Sequence, residues 1–225
     1  MSADFIKATP TRHPLPFRAA DFGTLTEALD YAAGGDTGSN FYTGRGVIYA
    51  SITYKQLRGE ALELARKLLG LGLSKGDRVA LVAETDPEFI RFFYACQYAG
   101  LIPVALPASV KIGAHSAYVA QLQCLLEASD AAVGVASEGY LPFLQEASEG
   151  MGMRMVDEPS AFHALPANTM PLPHITAGDI SYIQYTSGST RFPRGVVIKH
   201  QTAMANLRGI IVDGLDISAR DRLMS

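Results

Sequence analysis

The sequence predicts an α/β fold, a layered αβα arrangement around a largely parallel, twisted sheet. Three observations carry this. Short, nearly continuous apolar runs at 78–83, 101–106 and 131–136 have the length and make-up of strands buried on both faces. Segments with helical apolar spacing separate them. Most of those segments are long enough to act as the crossovers that parallel neighbours require.

The elements follow in order. Residues 1–22 are polar and proline-containing and are expected to form an extended lead-in. Leu25, Ala28, Leu29 and Ala32 fit a short helix stopped by Gly34-Gly35. Phe41-Tyr42 and Val47-Ile48-Tyr49-Ala50 flank Thr43-Gly44-Arg45-Gly46 and predict a hairpin. Thr53 and Gln56 form a capping box, followed by the apolar stripe Leu57, Ala61, Leu64, Ala65 and Leu68 up to Gly70 or Gly72. After the strand at 78–83, Thr85 and Glu88 suggest a second capping box, and Phe89, Phe92, Phe93, Cys96 and Ala99 line the next helix, ended by Gly100. Further helices are expected at 114–127 and 141–148, and a short strand at 153–156. Residues 23–158 thus read as one α/β subdomain. The stretch from Pro159 to Pro173 holds Pro159, Pro166, Pro171 and Pro173 with little periodicity, so 159–175 is expected to be a surface linker. Residues 176–225 then hold a strand–loop–strand hairpin and a helix, the start of an incomplete subdomain.

Composition narrows the function. The chain has 225 residues, 48% of them apolar, enough for a sizeable core. A net charge of −3 with both signs scattered speaks against a nucleic-acid partner. Cys96 and Cys124 lie in apolar helical patterns and read as packed free thiols. His13, His115, His163, His174 and His200 lack ligand spacing, so no metal site is expected from them. His200, at the start of the last helix, is expected to pack or cap there. The first residues lack the apolar core of a signal peptide and no stretch of 18 apolar residues occurs, so a soluble, cytoplasmic protein with no integral membrane segment is expected.

The most informative stretch runs from Tyr185 to Val197. Ile180–Tyr185 and Val196–Ile198 read as strands, and Thr186, Ser187, Gly188, Ser189, Thr190, Arg191, Phe192, Pro193, Arg194 and Gly195 lie between. A solvated turn is the competing reading. The run is longer than the two to five residues common in hairpins, and it closes on Pro-Arg-Gly. Hydroxyls and backbone amides from 186 to 190 can converge on one anion, Gly188 and Gly195 allow the backbone angles and close approach that such wrapping needs, and Arg194 can add a charged phosphate contact. No Gly-x-x-x-x-Gly-Lys-Ser/Thr is present. The residue types point to a polyphosphate cradle.

This segment resembles the phosphate-loop signature of the acyl-adenylate-forming (AMP-binding) enzymes, matching at Thr186, Ser187, Gly188, Ser189, Thr190, Pro193 and Gly195. Arg191 stands where most members have glycine, and Arg194 where most have lysine. Ser-Gly-Ser-Thr-Arg is similar to the fatty acyl-AMP ligase branch. Upstream, Thr53-Tyr54, Gly76-Asp77-Arg78-Val79-Ala80 and Ala99-Gly100 resemble fold signatures of the same family, in the same order.

The resemblance implies activation of a fatty acid with ATP to acyl-adenylate and pyrophosphate, with ATP and Mg²⁺ as cofactors. Thr186, Ser187, Gly188, Ser189, Thr190, Arg194 and Gly195 would be the ATP-phosphate residues. It implies transfer of the acyl group to an acyl carrier protein or polyketide synthase. Since family members are much longer, it also implies that the 225 residues correspond to an N-terminal part, inactive alone and with no complete catalytic set. Two other readings stay open: part of an acyl-CoA synthetase or peptide-synthetase adenylation domain, and a non-catalytic nucleotide- or partner-binding module.

Overall fold

The computed structural model describes residues 15–108, 115–186, 194–219 and 221–223. In chain order the elements are α1 (Leu25–Ala32), β1 (Gly38–Tyr42), β2 (Ile48–Thr53), α2 (Tyr54–Gly70), β3 (Arg78–Val82), α3 (Pro87–Ala99), β4 (Ile102–Leu106) and α4 (His115–Ser129). They continue with β5 (Ala131–Val135), α5 (Leu141–Ala147), β6 (Met155–Asp157), α6 (Pro159–His163), β7 (Ile180–Thr186), β8 (Arg194–Lys199) and α7 (His200–Gly209), which runs on into a π turn. β1 and β2 form a separate antiparallel hairpin. The main sheet has the order β6-β5-β3-β4-β7-β8, parallel throughout except for the β7–β8 pair. The expected α/β architecture is the observed one.

The two faces of β3 show why the sheet is a middle layer. Val79 and Leu81 pack into a core with Leu64 and Leu68 of α2 and Phe92 and Cys96 of α3. Ala80 and Val82 alternate with them and pack on the other side with Leu122 and Leu126 of α4 and Leu144 of α5. Period-two alternation in a strand apolar on both faces demands helices on both sides.

Local chemistry sets the helix starts. Thr53 and Gln56 form the expected capping box: the Gln56 amide donates to Thr53 Oγ1 at 3.1 Å, and the Thr53 amide to Gln56 Oε1 at 3.0 Å. The second expected capping box does not form. Asp86 caps α3 instead, its Oδ1 accepting from the Phe89 amide at 2.8 Å. Pro87 decides this, because proline is preorganised for the first helical position and places the cap on the residue before it. Glu88 is engaged elsewhere, with Arg91 at 2.7 Å and His163 at 2.8 Å.

Two further expectations change. The proline-rich segment begins with α6, whose Phe162 is fully buried, so this part is core. β7 and β8 extend the sheet built by the preceding residues instead of opening another, which joins 176–199 to the same α/β layer. Composition could not show that, because β7 meets β4 at Val104↔Ile183, residues 79 positions apart in the chain.

Gly38 is the glycine with the least choice. A Cβ there would stand 2.1 Å from the Ile52 carbonyl oxygen, so the hairpin strands can close only without a side chain. Among the described residues, no helix is long and apolar enough to cross a membrane. Cys96 is buried and Cys124 half-buried, both as free thiols.

Candidate functional site

The site is placed by the parallel strands. β3, β4, β5, β6 and β7 run the same way, so β7 delivers Thr186 to the edge where the other four also end. The crevice outside the carboxyl ends of parallel strands is where α/β sheets commonly bind ligands. β7 pairs with β8 down to Tyr185↔Gly195 and Thr186↔Arg194, so Thr186 and Arg194 face each other as the last pair before the connecting loop. The Thr186 hydroxyl donates to the Arg194 carbonyl at 3.5 Å. Ser187, Gly188, Ser189 and Thr190, with Arg191, lie outside the described residues.

Arg194 is exposed, and among the described residues it has no carboxylate partner. A guanidinium is a side chain suited to bidentate contact with a phosphate. Gly195 has a different reason from the one expected. It is a paired strand residue outside the left-handed glycines, so it is not there for unusual backbone angles. A Cβ on it would stand 3.2 Å from both Ile183 Cγ2 and Tyr185 Cε1, so its absence makes room for side chains of β7. Tyr185 uses that room, and its phenol donates to the Leu125 carbonyl of α4 at 3.3 Å.

Several residues that support this edge were not legible as site residues. Tyr118 donates to the Pro107 carbonyl at 2.6 Å and Tyr140 to the Ala108 carbonyl at 2.9 Å, tying the exit of β4 to α4 and to the turn before α5. Burial pushes the Tyr118 phenol up to about 12, which keeps it protonated as a donor. Tyr49 of the hairpin donates to the Thr85 carbonyl at the exit of β3 at 3.0 Å. The available signal was only that tyrosine in an apolar pattern usually has a partner for its hydroxyl.

His200 is buried, as expected, but its cap goes to another helix. Nδ1 accepts from the Leu25 amide at the start of α1, at 3.2 Å and 175 positions away, while α7 has no side-chain cap. Burial holds the imidazole below its ordinary value, against the opposing pull of Asp179 and Glu27.

A cleft of about 280 Å³ lies elsewhere, between α2, α3 and α6. Its charges are engaged with each other: Arg91 with Glu60 at 2.5 Å and with Glu88 at 2.7 Å, Lys67 with Glu63 at 2.7 Å. Burial pushes the Glu88 carboxyl up, but the His163 hydrogen bond and the Arg91 guanidinium together hold it below the usual range. This network ties three helices together. Among the described residues no group of three or more His, Cys, Asp or Glu side chains is arranged to hold a metal ion.

Known proteins are similar to this chain in sequence and fold. A Caulobacter vibrioides protein that carries acyl-CoA synthetase as a provisional name is 42% identical over 218 residues, 96% of this chain and 38% of its own length. A solved chain among the fatty acyl-adenylate ligases of E. coli and L. pneumophila is 43% identical with a TM-score of 0.87, covering 92% of this chain and 37% of that one. An L. pneumophila fatty acyl-adenylate ligase solved with acyl adenylate and pyrophosphate is 22% identical, with a TM-score of 0.68 over 86% of this chain and 33% of that one, and shares the fold. The chain thus spans well under half the length of these relatives. The model of the AMP-binding enzymes matches residues 37–225, a span that includes the β1–β2 hairpin, the main sheet and α7. Strand order, loop placement and that match agree, and the chain belongs to the AMP-binding enzyme family.

Proposed function

We propose that this chain forms the phosphate-binding part of an ATP-dependent ligase of the fatty acyl-AMP type, which converts a fatty acid to its acyl-adenylate and passes the acyl group to an acyl carrier protein or polyketide synthase. One observation carries the reading: Thr186 and Arg194 close the loop mouth at the carboxyl edge of the parallel sheet. The 43% identity to a fatty acyl-adenylate ligase and the Arg191 of the loop favour this branch.

The donor set fits a polyphosphate. From Thr186 to Gly195 the chain offers hydroxyls, amides and two guanidinium groups, and no carboxylate. ATP would supply the electrophilic phosphorus, and Mg²⁺ would arrive held mainly by the phosphates. Thr186, Ser187, Gly188, Ser189 and Thr190 would bind and orient the β- and γ-phosphates, and Arg194 would offset charge gathering on the departing pyrophosphate. Gly195 would act at one remove, by leaving Tyr185 its place. A cytoplasmic setting suits these substrates.

Calorimetry of the whole protein with MgATP tests the phosphate role. Arg194→Ala is expected to weaken binding about tenfold or more, since a charge-assisted hydrogen bond contributes about 1.5–3 kcal/mol. Unchanged affinity would remove Arg194 from the site. The purified 225-residue chain is expected to show no ATP–pyrophosphate exchange. A second reading, an acyl-CoA synthetase, is favoured by the provisional name of the Caulobacter relative. Product analysis of the whole protein with fatty acid and ATP, with and without CoA, separates the two, and efficient acyl-CoA formation would overturn the ligase reading.

A further inference from the structure

The strand that carries Thr186 has an irregularity near its start. β7 and β8 pair back from Thr186↔Arg194 to Tyr182↔Ile198, and then Ile180, not Ser181, pairs with Lys199. Ser181 is an extra residue on β7, a β-bulge, which leaves it without a partner in the β8 register. It is also 0% exposed, so its polar groups need partners inside the protein.

One side chain satisfies both ends of the residue. Gln97, in the last turn of α3 and 1% exposed, donates from Nε2 to the Ser181 carbonyl at 2.7 Å. Its Oε1 accepts from the Ser181 hydroxyl at 2.9 Å. The rest of the sheet grips β7 lightly: β4 pairs with it at Val104↔Ile183 and Ala105↔Gln184, against five registered pairs between β3 and β4. Thr186 stands five residues beyond the bulge on the same strand.

We propose that Gln97 and the Ser181 bulge form a register pin that fixes how far the β7–β8 hairpin slides along β4, and thereby positions Thr186 and Arg194 at the phosphate-loop mouth. Both are positioning residues. The consequence for nucleotide binding rests on the ATP reading above; the pin itself does not. A slip of two residues preserves the faces of the strand yet moves the loop base by about 6–7 Å, beyond hydrogen-bond reach of a bound phosphate.

Amide hydrogen exchange on the 225-residue chain tests the pin. Gln97→Leu leaves the Ser181 carbonyl and hydroxyl unsatisfied. Protection of the Tyr185, Thr186 and Gly195 amides is expected to fall about tenfold further than in Leu57→Ala, a core variant in α2 compared at equal global stability. Gln97→Glu distinguishes hydrogen bonding from packing. A protonated carboxyl there donates to the Ser181 carbonyl and accepts from its hydroxyl, as the amide does, whereas the carboxylate cannot donate. Protection at β7–β8 is therefore expected to recover in Gln97→Glu as pH falls, starting above the ordinary carboxylate range because of burial. Gln97→Leu has no such recovery.

Loss of protection no greater than in Leu57→Ala, or no pH-dependent recovery in Gln97→Glu, overturns the pin. Should Gln97→Leu not fold, Ser181→Ala keeps the carbonyl bond and is expected to lower the same protection about three- to tenfold, and unchanged protection overturns the proposal. In titrations of the whole protein with MgATP, Gln97→Leu is expected to bind about tenfold more weakly than Leu57→Ala, and equal affinity overturns the positioning role. A wild-type whole protein that gives no response to MgATP would refute the ATP reading, with the exchange experiments still deciding the pin.

Discussion

Replacing Phe162 by alanine is expected to destabilise the protein by about 3–5 kcal/mol, the range for removing a fully buried aromatic side chain. Phe162 is 0% exposed and meets Phe92 edge-to-face, with ring centroids 5.4 Å apart. It belongs to the core that also holds Val79, Leu81, Val133 and Val135 of the sheet. The helix that carries it is fastened by Lys67, whose ammonium donates to the His163 carbonyl at 2.7 Å. Truncation would leave a cavity against Phe92 that the surrounding strands cannot fill. Urea denaturation provides the measurement: the midpoint should drop with little change in slope. A surface linker at this position would give a change within about 0.5 kcal/mol, and that result would remove α6 from the core.

Stability is expected to fall as pH drops below about 6.5, and His200 is the group responsible. Its folded form is the neutral ring, because Nδ1 accepts the Leu25 amide and burial disfavours the cation. The folded value is thus below the unfolded one. The contribution is fully present above the unfolded value, and it is lost as pH falls through that value and on through the folded one. Asp179 and Glu27 favour the cation and Lys75 opposes it, so the window is narrower than burial alone would make it. The slope added by this single proton is at most about 1.4 kcal/mol per pH unit. His200→Leu should cost about 1–3 kcal/mol at neutral pH, by orphaning a buried amide, and should lack that slope. Parallel stability–pH curves for the two proteins would contradict the assignment.

Both predictions concern residues whose importance comes from distant contacts. The helices and strands from Leu25 to Val156 were readable because their apolar spacing, capping residues and glycine stops are local in sequence. Thr53 with Gln56 shows this, since both hydrogen bonds of the box close within four residues. The Asp86 cap was equally local, and its sign was Pro87. Phe162 was not readable among prolines, because a five-residue helix offers too few positions to show a period. His200 gave no sign that its partner was Leu25.

The candidate site divides along the same line. The sequence by itself determined the αβα class and the placing of a run rich in hydroxyls, glycines and arginines between two strands, the residue types on which the proposed phosphate role rests. Only the tertiary structure decided that β7 joins β4, that Gly195 yields its space to Tyr185, and that Gln97 holds the Ser181 bulge. These depend on which faces meet when the chain closes on itself. The Thr186–Arg194 pair takes its residue types from local sequence and its position from contacts made far along the chain.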